Sequence, residues 1–248
     1  MKKFLFTICS LLVLNCAVGT AQVKQGKVTF IADFTGVYDK SLKKGNVRLA
    51  NLMRGINEVS KDIKLELTFN ESESFFSKGK SMPLDHDTET YNSALELCLD
   101  GDYYTNLKSK QLLKTVKEDK TYLISLSPLK AEDWVLTKVS KKIGKYTCYK
   151  ATSARSISGP NGPVKIQLSA WYAPEIPVRF GPKHYSNLPG LILEVQEGEV
   201  VYRCVGITLN QPAKVAIIAP SKGTAVTEAA FDKIIEKRIA QFNAADKS

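Results

Sequence analysis

Few side chains in this sequence could do chemistry. There are two histidines, His86 and His184, in 248 residues. A Ser–His–acid hydrolase would have to use one of them as its base. His184 precedes Ser186, with Glu194 beyond, and is the better placed of the two. Glu175 and Glu194 flank the same stretch and could supply the carboxylate pair of glycoside hydrolysis, but nothing fixes their separation. Asp85, His86, Asp87 and Glu89 crowd together as metal ligands would. Neighbouring loop residues rarely converge on one ion without a second ligand cluster, and none is evident, so no metal is expected. G-x-S-x-G, P-loop, HExxH and CxxC motifs are all missing. The expectation is a non-enzymatic protein without a cofactor, with a hydrolase using His184 as the chemical alternative.

Binding chemistry is better represented. Trp171, Tyr172, Phe180 and Tyr185 surround His184 in WYAPEIPVRFGPKHYSNLPGLILEV, residues 171–195. They could line the mouth of an apolar cavity, or they could stack on the prolines and stiffen a loop. Of five cysteines, Cys98, Cys148 and Cys204 lie outside the N-terminal stretch. The simplest reading makes them small buried hydrophobes, with a Cys148–Cys204 disulfide as the alternative.

The formal net charge is +10. The lysines are scattered, and the densest run, KVSKKIGK at 138–145, lacks interleaved aromatics, so nucleic acid is not expected. Residues 1–21 have the form of a secretory signal peptide: Lys2 and Lys3, an apolar run from Phe4 to Val18, then Gly19-Thr20-Ala21. Cys16 follows Asn15, a poor lipobox, which disfavours lipidation. No later run approaches spanning length, so residues 22–248 should form a single domain without a transmembrane segment, in the periplasm or at the outer membrane.

Several elements must position the 171–195 stretch. Strands are predicted at 27–33, 63–70, 94–99, 111–116, 121–127, 134–139, 146–154, 164–172, 191–195 and 200–209, with turn signals between. Leu49, Leu52, Met53, Ile56 and Val59 share one face of a short helix. Residues 38–46 and 71–90 read as polar connections. Thr227 caps a C-terminal helix over 228–242 with Phe231, Ile234, Ile235, Ile239 and Phe242 on one side. Between the strands ending at Tyr172 and starting at Leu191, four prolines rule out a helix and a central strand. Leu188-Pro189-Gly190-Leu191 has the residues of a type II turn. The predicted fold is mainly β, a strongly curved antiparallel sheet or half-barrel meander with the C-terminal helix packed on it. Its outline is similar to the LolA-like lipoprotein carriers.

Asn187-Leu188-Pro189-Gly190-Leu191-Ile192 resembles the signature of the GLPGLI family of secreted, Bacteroidetes-type envelope proteins. Asn replaces the first glycine, a mild departure, because Asn tolerates positive φ. Upstream, Trp171-Tyr172, Glu175-Ile176-Pro177, Gly181-Pro182 and Tyr185 fit the same pattern. The resemblance implies a secreted protein but carries no established activity and no catalytic residues. Together the features point to binding of a hydrophobic or peptide-like ligand, or of an envelope protein, through Trp171, Tyr172, Phe180, His184 and Tyr185. An accessory subunit of an outer-membrane assembly is the alternative.

Overall fold

The structure is a computed structural model that describes residues 23–80, 87–127, 129–130, 133–159, 162–212 and 215–245. The expected leader, Cys16, Asp85 and His86 lie outside the described residues. The described chain forms one open sheet of twelve strands with four helices.

Two meanders meet in the middle of that sheet. β1 (Gly26–Asp33), β2 (Leu65–Phe69), β3 (Glu73–Lys78), β4 (Asp102–Asn106), β5 (Gln111–Lys117) and β6 (Thr121–Ser125) step outward one after another. The chain then crosses to the opposite edge at β7 (Val135–Ile143). It returns through β8 (Tyr146–Gly159), β9 (Gly162–Ala173), β10 (Leu191–Glu197) and β11 (Val200–Leu209), which pairs with β1. β12 (Thr224–Thr227) finishes the sheet, parallel to β6. β1 and β2 owe their place to strict alternation: Val28, Phe30, Ala32, Leu65, Leu67 and Phe69 are fully buried on one face.

The sheet is strongly curved. Six strands lie between β4 and β8, which in a flat sheet would hold them more than about 30 Å apart. Yet Tyr103 of β4 and Arg155 of β8 line one cleft.

The helices cover part of the sheet. They are α1 (Thr35–Lys43), α2 (Val47–Ser60), α3 (Thr88–Cys98) and α4 (Glu228–Ala245). α2 buries Met53, Ile56 and Val59, and Asn46 caps it by accepting from the Leu49 amide at 3.0 Å. Thr227 caps α4 by accepting from the Ala230 amide, and Phe231 meets Tyr122 of β6 edge-on at 5.2 Å.

Four local expectations change. Residues 94–99, expected as a strand, belong to α3. Tyr91, Ala94, Leu95 and Cys98 form a helical stripe that starts inside polar sequence, and the Asp87 carboxylate accepts from the Thr90 amide at 2.8 Å. The 71–90 connection contains β3, and the 38–46 connection is largely α1, whose inner face is only Val37, Tyr38 and Ser41. The Cys148–Cys204 bridge is not formed, and all three described cysteines are free thiols. Cys148 on β8 and Cys204 on β11 are separated by β9 and β10.

The largest difference concerns residues 174–190. Neither helix nor central strand, as its prolines require, the segment fills the concave interior of the curled sheet. Ile176, Val178, Phe180, Tyr185 and Leu188 are all buried, with Phe180 against Phe69 at 6.1 Å and Tyr185 against Trp134 at 6.5 Å. Its backbone is tied in by amides donated from Leu191 to Ile176, from Ile192 to Phe180 and from Asn187 to Arg179. The Trp134 indole donates to the Ser186 carbonyl at 3.2 Å.

The turn at Pro189 is not type II. The Gly190 amide donates to Leu188, two residues back, which makes a γ-type turn about Pro189. Gly190 is required for another reason: a Cβ there would overlap the Ala173 carbonyl and lie 2.8 Å from the Pro174 nitrogen. Gly181 is similarly pressed, with Ile192 Cβ 2.7 Å from where its own Cβ would be. Asn187 does adopt positive φ, at 70°, and its side-chain amide donates to the Leu129 carbonyl at 2.7 Å.

Candidate functional site

One part of the filling segment is charged. Lys183 and His184 follow Gly181-Pro182 at the point where the segment reverses, and both side chains are buried. Lys183 holds φ at 54°, which is uncommon outside glycine and costs strain. The surrounding charges fix it there. Its ammonium lies 3.0 Å from Glu197 Oε2, at the end of β10, and 3.5 Å from Asp100 Oδ1, in the turn before β4. It also sits 5.5 Å from the centre of the Tyr202 ring.

The network extends to both sides. Asp100 accepts from Lys114 at 2.7 Å and from the Tyr103 hydroxyl at 2.8 Å. Arg155 of β8 donates to His184 Nε2 at 2.6 Å and stands 4.0 Å from Glu197 Oε1. Guanidinium groups only donate, so Nε2 is the acceptor and His184 carries its proton on Nδ1. That Nδ1 is buried with no partner among the described residues, as is the neighbouring Ser186 hydroxyl. Orphaned buried donors are rare.

Burial sets the protonation states first, and neighbouring charge then decides them. Desolvation raises the carboxyl of Glu197, but Lys183, His184 and Arg155 overturn this and hold it below its usual range. Asp100 is likewise raised by burial and lowered further by Lys183 and Lys114. Burial would strip the proton from Lys183; Tyr202 and Tyr103, then Asp100 and Glu197, reverse the direction and hold it well above the usual range. The phenols are themselves un-ionised at neutral pH, with Tyr202 pushed by burial to about 12, so there the two carboxylates keep Lys183 charged. Burial, Arg155 and Lys183 together lower His184 to about 3.

These groups form one wall of a cleft of about 600 Å³. The lining also takes in apolar residues, Ile124 on β6, Leu126 and Leu129 beyond its end, and Phe231 on α4. Glu228 and Asp232, in the first turns of α4, add carboxylates at the rim. Cations, carboxylates and apolar surface therefore all border a space large enough for a small molecule.

Of the five residues read from sequence as binding candidates, His184 alone lines this cleft. Phe180 and Tyr185 are core. Tyr172 is buried beside Tyr149 at 6.3 Å. Trp171 is half-buried, with the Lys141 ammonium 4.3 Å from its ring centre. Pro177, Leu188, Pro189 and Gly190 of the motif border a second depression of about 490 Å³, with Leu136 and Arg179. Gly181, Pro182, Leu191 and Ile192 are buried in the fold.

The alternative chemical groups are engaged elsewhere. Glu175 accepts from the Thr147 amide at 2.9 Å, and Glu194 pairs with Lys141 at 2.7 Å. Asp87 is a helix cap. Burial pushes Cys98 to about 12 and Cys148 and Cys204 to about 11, which makes all three thiols inert.

Sequence reasoning passed over Lys183, Glu197, Asp100, Arg155 and Tyr103. One signal was available: Lys183-His184 lies between Phe180-Gly181-Pro182 and Tyr185 in a stretch rich in apolar residues, prolines and glycines, where an ionised side chain that is buried must be paired. Its partners come from β4, β8 and β10, and only the curl of the sheet brings these together.

No curated protein matches this chain. Residues 161–194 match the family described as "Protein of unknown function (Porph_ging)". That stretch takes in β9, the filling segment and the start of β10. Solved structures of PNGF-II, in C2 and P21 crystal forms, superpose with a TM-score of 0.52 at 13% and 12% identity. They cover 86% of this chain but only 33% and 34% of theirs, so this chain spans about a third of the length of those proteins. At that identity the likeness is one of fold. The chain is thus similar to a family of unknown function over the very segment that fills its curved sheet.

Proposed function

We propose that this chain is a GLPGLI-type protein of the cell envelope, exported by its leader, that binds a peptide-like ligand in the cleft beside Lys183 and His184 and performs no chemistry on it. The observation that carries the binding reading is the Arg155 guanidinium in the cleft lining, whose one side-chain hydrogen bond among the described residues goes to His184 and leaves further N–H donors over. A ligand carboxylate or carbonyl would satisfy such donors. Glu228 and Asp232 across the rim suit an ammonium, and Ile124, Leu126 and Phe231 suit an apolar side chain. Short peptides carry all three features.

Two other readings lose support. An acyl-chain carrier of LolA-like outline needs an apolar hollow under the sheet, and residues 174–190 occupy that space. A hydrolase needs His184 as a base, but its Nε2 already accepts from Arg155 and its pKa near 3 leaves no basicity at neutral pH.

The test is native mass spectrometry of the full chain incubated with a mixture of di- and tripeptides. The expected result is a retained peptide, with retention at least about tenfold weaker in Arg155→Met, as the loss of a charge-assisted contact requires. Failure of every peptide to be retained, or equal retention by the variant, would overturn the reading.

A further inference from the structure

The apolar stripe of α2 is longer than the surface beneath it. Leu49, Leu52, Met53, Ile56 and Val59 follow helical spacing along one side. The last three are buried, but Leu49 and Leu52 are 40% and 60% exposed. The turn from α1 into α2 adds Leu42 at 42% and Val47 at 58%. All residues from Leu42 to Leu49 are exposed, and a Cβ on Gly45 would meet nothing within 4 Å. The helical hairpin therefore ends in a projecting apolar tip.

That tip is also basic. Lys43, Lys44, Arg48 and Arg54 are exposed around it, and no Asp or Glu occurs between Leu42 and Arg54. Isolated surface leucines need no explanation, whereas four aliphatic side chains in eleven residues, ringed by cations, form a patch. A peptide partner would want a groove, and none of these residues lines either cleft. A convex apolar wedge with a basic collar suits an anionic lipid surface: the side chains enter the acyl boundary while the cations meet phosphate.

We infer that the α1–α2 tip docks the protein on anionic membranes, with Leu42, Val47, Leu49 and Leu52 inserted and Lys43, Lys44, Arg48 and Arg54 on the headgroups. This surface is separate from the Lys183 cleft, so either assignment can fail without the other.

Vesicle flotation tests it. The full chain should float with vesicles of phosphatidylcholine mixed with phosphatidylglycerol, not with phosphatidylcholine alone, and added salt should weaken the binding. Lys44→Gln and Arg48→Gln should each lower the partition coefficient about fivefold. Leu52→Glu should lower it at least about tenfold while melting like the parent, because the site is exposed. Absence of binding to the mixed vesicles, or equal binding by Leu52→Glu, overturns the proposal. So does a dimer in sedimentation velocity that Leu52→Glu dissolves, since a second copy would then cover the tip.

Discussion

Residues 174–190 and the α1–α2 hairpin solve opposite problems. The first has no regular secondary structure, four prolines and two glycines, and most of its residues buried. The second is regular helix, with Asn46 capping α2, and leaves the end of its apolar stripe in solvent. Regularity satisfies the backbone, whereas burial depends on whether something lies opposite the side chains. In the filling segment the curled sheet surrounds Ile176, Val178, Phe180, Tyr185 and Leu188, and individual amides are answered by Ile176, Arg179 and Phe180 carbonyls instead of a ladder. At the hairpin tip the ladder is intact and the opposing surface is missing.

The contrast predicts unequal costs for similar truncations. Phe180→Ala removes a fully buried ring from the segment and should cost about 3–5 kcal/mol in denaturant unfolding. A cost below about 1 kcal/mol would mean the segment does not hold the interior. Glu197→Gln comes next. It leaves buried Lys183 with Asp100 at 3.5 Å as its remaining anion and should cost about 3 kcal/mol. The double variant Lys183→Met/Glu197→Gln should recover part of that loss, because the uncompensated charge is then gone. If the double variant is as unstable as the sum of the singles, the two residues do not act as a pair.

A third effect is spread over pH. His184 is lowered by burial from 6.5 to about 3, so the unfolded chain takes up a proton that the folded chain refuses. Its contribution is fully present above pH 6.5 and falls away as pH drops toward 3, by at most about 1.4 kcal/mol per unit. Glu197 and Asp100, both lowered, add further loss below their ordinary values of 4.5 and 3.8. Melting followed between pH 7 and pH 5 isolates the histidine, and His184→Asn should flatten that interval while leaving the steeper acid limb. An unchanged slope would place the titrating group elsewhere.

The sequence conveyed the strand series well where alternation was strong. It marked β1, β2, β5, β6 and β9 to β11 closely, the start but not the full length of β7 and β8, the helix α2, the Thr227 cap of α4, and the tolerance of Asn187 for positive φ. It misread α3 because the stripe from Tyr91 to Cys98 begins among polar residues, so a short window sees only an apolar run. It took Phe180 and Tyr185 for a binding surface because aromatic residues beside prolines look alike whether they face a ligand or the protein's own interior. What decides between these is the curvature of a twelve-stranded sheet, a property summed over pairings of β1 with β11 and β8 with β9 that no local pattern contains. The charged cluster was hidden for the same reason, since Asp100, Arg155, Lys183 and Glu197 meet only once the curl is complete.

The smallest predicted effect is also the sharpest test of the contrast. Leu52→Ala deletes as many methyl groups as a core Leu→Ala change, from the same stripe as Met53 and Ile56. At 60% exposure little area is removed from water on folding, and no cavity forms behind the lost atoms. The cost should stay within about 0.5 kcal/mol. Leu188→Ala, in an irregular segment but fully buried, should cost about 2–5 kcal/mol. Secondary structure alone would rank the helical leucine as the more important of the two. Chemical unfolding of both variants side by side decides the matter: a Leu52 variant as damaged as the Leu188 variant would show that the α2 stripe is covered after all, and that the tip is a packed surface of the fold.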